Sequence, residues 1–78
     1  MTQTIVIDQL PLHSEKHKNK IFTICLTADG VTAVNVVKEG NDSVVIKGGD
    51  HVDPARITEC LRQKVTNHAR LVSVVMED

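Results

Sequence analysis

The sequence predicts a single α+β domain, with two helices covering one face of a four-stranded antiparallel sheet. Three observations lead there. Four runs rich in Val, Ile and Thr alternate in the manner of half-buried strands, at 4–10, 31–37, 43–47 and 69–76. Two stretches carry apolar residues at helical spacing behind helix-start signals, at 14–28 and 53–65. The second and third strands are separated only by a short turn, so they form a hairpin, while a helix follows the first strand and another follows the third.

Residues 4–10, Thr-Ile-Val-Ile-Asp-Gln-Leu, are bounded by Pro11. Ile5 and Ile7 share one phase while Leu10 and Leu12 fall in the other, which predicts a bulge near Asp8 and Gln9. Ser14 is then an acceptable N-cap, and Glu15 suits the positive end of the helix dipole. His17, Ile21, Ile24, Cys25 and Ala28 form the apolar stripe of the first helix, which ends at Thr27, Asp29 and Gly30, with Gly30 suited to a left-handed position. Residues 31–37 alternate as Val31, Ala33, Asn35, Val37 against Thr32, Val34, Val36. Residues 38–42, Lys-Glu-Gly-Asn-Asp, supply the turn, 43–47 the third strand, and 48–52 a loop. Asp53 and Pro54 form a strong helix start, and Ile57, Cys60, Leu61, Lys64 and Val65 continue the helical stripe to Asn67 and His68. Leu71, Ser73 and Val75 alternate with Val72, Val74 and Met76 in the last strand. The order β-α-β-β-α-β is that of a ferredoxin-like sandwich with spatial strand order 2-3-1-4, which leaves the second and fourth strands as edges.

Composition narrows the function classes. Seventy-eight residues make one domain, 1–78, whose core supplies modest stability. The net charge of −1 steers the chain toward neither nucleic acid nor anionic lipid. Phe22 is the only aromatic, so there is no platform for stacking bases. No apolar run approaches the roughly 18 residues of a membrane span, and no secretory signal is visible. Cys25 and Cys60 stand far apart without a CxxC pair, which favours a reducing, cytoplasmic setting and two small core residues. The chain closes on Val75-Met76-Glu77-Asp78 rather than a prenylation box, and its small size suggests a domain excised from a larger protein.

The βαββαβ order, the Gly30-Val31 pair before the second strand, and the segment from Val52-Asp53-Pro54 through Leu61-Arg62-Gln63-Lys64-Val65 together resemble plant heavy-metal-associated (HMA) domains. The helix segment is close to the "(I/V)DP…L…LR.K" pattern of plant HMA-like proteins, including domains integrated into nucleotide-binding leucine-rich-repeat immune receptors. The family's metal loop has the form M-x-C-x-x-C. The matching positions here are Leu12, Ser14 and His17. A serine hydroxyl is a poor ligand for Cu(I) or Zn(II), and one imidazole is not a site. The resemblance therefore implies a degenerate loop, no cofactor, and a role as a bait that binds secreted pathogen effectors. The alternative it leaves is a metallochaperone-type domain that handles metal through His13 and His17. A small-molecule regulatory domain of similar topology, such as an ACT domain, is a third reading, hinted at only by Gly48-Gly49.

Other constellations point less far. Ser14 with His17 has no accompanying acid or oxyanion site, so no enzyme is expected. Lys16, Lys18 and Lys20 crowd the start of the first helix and offer charge to an acidic partner surface. Strand edges offer unpaired backbone groups to a partner strand. Val34, Asn35, Val36, Val37 and Lys38 form one edge, with Ser43 and Lys47 nearby; Val72 to Glu77, with Ser73, Val74, Val75, Met76 and Glu77 as candidate contacts, form the other. The resemblance implies that effectors dock on these segments. Loss of the metal site also leaves room for a weak homodimer through the loop or a β-edge.

Overall fold

The computed structural model describes residues 1–37 and 42–77, so most of the turn expected at 38–42, with its candidate site residue Lys38, lies outside the described residues, as does Asp78. The elements are β1 (Thr2–Asp8), α1 (Glu15–Thr27), β2 (Val31–Val37), β3 (Ser43–Gly49), α2 (Pro54–Lys64) and β4 (Arg70–Glu77). The strands form one antiparallel sheet in the order β2-β3-β1-β4. This is the ferredoxin-like arrangement that the sequence predicts, with β2 and β4 as edges.

One phase of each central strand builds the core. Ile5 and Ile7 of β1 and Val44 and Ile46 of β3 are fully buried and meet Ile21 and Cys25 of α1 and Ile57 and Leu61 of α2. Each such aliphatic side chain contributes about 1.5–3 kcal/mol of burial free energy. Leu10 and Leu12 from the β1–α1 connection, Val52 and Ala69 complete the cluster. Gln3 is also buried, and its Nε2 donates to the carbonyls of Gly49 (3.2 Å) and Val52 (2.9 Å), which offsets the desolvation of the amide. Asp53 caps α2 as expected, its carboxylate accepting from the Arg56 N–H at 3.3 Å.

Several boundaries and phases differ from the sequence reading. β1 runs from Thr2 to Asp8 rather than over 4–10, and there is no bulge at Asp8 and Gln9. Gln9 instead adopts φ 62° and turns the chain out of the sheet, so Leu10 and Leu12 are buried from a loop. The bulge lies in β4: Val6 pairs with Ser73 and Ile7 with Leu71, leaving Val72 as the extra residue. A second register shift between Val31 and Ala33 puts Val31, Val34 and Val36 together against the core, where strict alternation would separate Val31 from the other two. β3 continues through Gly48 and Gly49, which the sequence reading assigns to a loop. Ser14 precedes α1 in an extended conformation but makes no side-chain capping bond. Cys25 is a core residue; Cys60, expected beside it, is only half-buried.

Candidate functional site

The β1–α1 loop is tied down by its leucines. Leu12 donates from its N–H to the Leu10 carbonyl at 2.9 Å, and both side chains enter the core. The position of the family's methionine is therefore filled by a packed Leu12. Ser14 begins α1, its carbonyl accepting from the Lys18 N–H at 2.9 Å. His17 is half-buried, and its Nδ1 is enclosed without a hydrogen-bond partner among the described residues. His13 faces Asp42: its ring is 88% exposed and its Nε2 lies 3.1 Å from a carboxylate oxygen of Asp42. The loop thus sends its two imidazoles to different surroundings. His51 belongs to the other end of the molecule, where its ring packs over Gly30 beyond the C-terminus of α1. Thirteen helical residues, about 20 Å, separate the two ends. Among the described residues, no group of three or more His, Cys, Asp or Glu side chains is placed to hold a metal ion.

Lys16 and Lys20 are exposed and Lys18 is half-buried on the first turns of α1. They sit at the positive end of the helix dipole, which raises the local positive potential. On the open face of the sheet, pairing sets residues in rows: Asn35, Val45, Val6 and Ser73 form one, and Lys47, Thr4 and Val75 belong to the next. Ser43 and Lys47 lie on the central strand β3, beside the β2 edge, as the sequence predicts, and on this open face. On β2, Asn35 and Val37 are exposed, whereas Val34 and Val36 turn inward and pack on the core. Those two can offer a partner their backbone more than their side chains.

The β4 edge is the more apolar of the two. Val74, Val75 and Met76 are 40%, 46% and 44% exposed, and the bulged Val72 is 49% exposed. Val72 belongs to the edge that the sequence predicts, but its place as the bulged residue does not show in the alternation, because strict alternation hides a bulge. At the start of β4, Arg70 grips Asp8 through two bonds, Nε to Oδ1 at 3.1 Å and Nη2 to Oδ2 at 2.8 Å. The Asp8 side chain is 8% exposed, and the hydrogen bond to it raises the Arg70 pKa further above its ordinary value. A groove of about 480 Å³ also opens between the two helices, lined by Ile24, Ala28, His51, Arg56, Ile57 and Cys60. The sequence offers no signal for it, since its walls come from both helices and a loop.

No protein-family model matches the chain. Over 56 residues the chain is 39% identical to Heavy metal-associated isoprenylated plant protein 47 of Arabidopsis thaliana, a match covering 72% of this chain and 47% of that protein. The chain therefore spans about half the length of this curated relative. The similarity, together with the βαββαβ fold, supports an HMA-like domain.

Proposed function

From an HMA-like domain with this loop, we propose a non-catalytic protein-docking module: an integrated bait in a plant immune receptor, binding secreted pathogen effectors in the cytoplasm. The observation that carries this reading is the loop itself. A hydroxyl at Ser14 and an imidazole at His17 stand where a soft-metal loop needs thiolates, Leu12 is packed where it has methionine, and His13 turns to Asp42. The exposed surface, by contrast, is rich in docking elements. Two unpaired strand edges, an open sheet face and the Lys16, Lys18 and Lys20 patch suit a partner that adds a strand and supplies acidic groups. The bait takes no cofactor, nucleic acid or membrane; no helix among the described residues is long and apolar enough to cross one.

A second reading is favoured by the relative's printed name, which ties it to heavy metals. In that reading the domain still handles metal ions, through His13 and His17. Calorimetric titration with Cu(I), Zn(II) and Ni(II) separates the two. The bait reading expects no heat from the natural chain and clear binding from a Ser14→Cys/His17→Cys variant. Binding at about 1 μM or tighter that disappears with His13→Ala or His17→Ala would establish the metal reading instead. The bait reading also expects at least one of a panel of purified secreted effectors to bind at about 10 μM or tighter. A panel with no binder below about 100 μM would remove it.

A further inference from the structure

The C-terminal half of β4 is an unprotected edge. Between Ser73 and Glu77 there is no proline or lysine, and no bulge; the register shift against β1 lies before Ser73. Three consecutive side chains, Val74, Val75 and Met76, are each at least 40% exposed. Val74 and Met76 lie on the helix-bearing side, opposite Ile5 and Gln3 of β1, yet the helices leave them uncovered. Val75 lies on the open side, opposite Thr4.

We infer that this segment pairs with β4 of a second copy of the same chain, antiparallel, about a two-fold axis at Val75. The register follows from elementary constraints. Antiparallel strands place residues of one face opposite each other, so a symmetric pairing is centred on a residue. Centring on Ser73 or Val74 would bring the Val72 bulge into the ladder, and centring on Met76 would pair only three residues of the described strand. Val75 alone allows five residues, 73–77, to pair without the bulge.

That register is self-complementary. Val75 meets Val75 of the partner subunit, Val74 meets the partner's Met76, and the Ser73 hydroxyl meets the carboxylate of the partner's Glu77, the last two contacts occurring twice by symmetry. No like charges oppose each other. A five-residue edge contact buries less than the roughly 1,000 Å² of a stable interface, so the dimer is weak and concentration-dependent. It occupies β4 and leaves the β2 edge and the lysine patch to another partner, so it stands whether or not an effector binds.

Sedimentation equilibrium of the full chain from about 5 μM to 1 mM tests it, a range that spans weak dimers. The weight-average mass rises from 8.6 kDa toward twice that value with concentration. Val75→Lys and Val75→Glu each hold the chain at the monomer mass, because each sets like charges on the axis. An equimolar mixture of the two variants dimerises again, since Lys then faces Glu. Val37→Lys on the β2 edge leaves the association unchanged. Circular dichroism confirms that each variant is folded; Val75 is exposed enough to accept either charge. A chain that stays monomeric to 1 mM overturns the inference. So does a dimer that survives Val75→Lys, a mixture that fails to recover, or a dimer lost with Val37→Lys.

Discussion

Replacing Gly48 by alanine is expected to cost far more than the same change at its neighbour Gly49. A Cβ on Gly48 would lie 2.5 Å from the Gly30 carbonyl oxygen, 2.7 Å from Val52 Cγ2 and 3.1 Å from Val31 Cα. The nearest atom is backbone, and it is held. The Gly30 carbonyl accepts from the Gly49 N–H at 3.1 Å, and the Val31 N–H that follows it is bonded to the Ala28 carbonyl at 3.3 Å. Making room means overpacking, about 1–3 kcal/mol, and loosening a backbone hydrogen bond, about 1 kcal/mol. Restricting the unfolded chain returns about 0.4–1 kcal/mol, which leaves a net loss of about 1–3.6 kcal/mol. At Gly49 the nearest atoms are Cε1 and Nδ1 of His51, both at 3.1 Å. That ring is 61% exposed and can swing away, so Gly49→Ala should fall within about 0.5 kcal/mol of the parent. Urea unfolding at 25 °C, read as the shift in midpoint at constant slope, measures both. The whole domain holds roughly 4–12 kcal/mol, so the Gly48 loss is a large share of it. A Gly48→Ala variant within 0.5 kcal/mol of the parent, or a Gly49→Ala variant that loses more, would refute the reasoning.

Two further outcomes follow from buried groups. Burial pushes the Cys25 thiol from 9.0 up to about 12, so in the folded chain it should resist a thiol reagent at pH 8 that labels the half-buried Cys60, and react only after denaturation. The same shift makes stability fall with alkali. Below pH 9 the thiol is neutral in both states and nothing is lost; between about pH 9 and 12 only the unfolded chain ionises, and stability drops by up to about 1.4 kcal/mol per pH unit. A Cys25→Ala variant should show a shallower alkaline decline in pH-dependent melts. Arg70→Ala and Asp8→Ala should each lower the urea midpoint, with the double variant losing less than both together, because each single change strands the partner of a two-bond ion pair. Strict additivity in that cycle would show that the pair is not coupled.

Much of the fold is legible in the chain because its signals are local. The β-branched runs, the Asp53-Pro54 start of α2 and the left-handed Gly30 each state their element through neighbouring residues alone. The misread features are those that depend on a partner strand. The phase change at Leu10 and Leu12 looks like a bulge, but a positive φ at Gln9 produces the same pattern by leaving the sheet. The actual bulge at Val72 is invisible, since alternating valines read as regular in either phase. Gly48 and Gly49 read as a loop because glycine is rare inside strands; here β3 needs them, since the Gly30 backbone passes too close for a side chain at 48.

The candidate site divides along the same line. The sequence by itself determined which donors the loop has: Leu12, Ser14 and His17 stand where the family pattern has methionine and two cysteines, and no folding can supply a missing thiolate. It also determined the element order, because hydrophobic period and turn chemistry act over a few residues. Only the tertiary structure decided which side chains remain for a partner. It turned Val34 and Val36 inward through a one-residue slip, set Ser43 and Lys47 on the open rather than the covered face of β3, sent His13 to Asp42, and left Val72 and Val74 to Met76 uncovered on an edge. Exposure is the area that every other element fails to cover, and that depends on contacts between residues far apart in the chain.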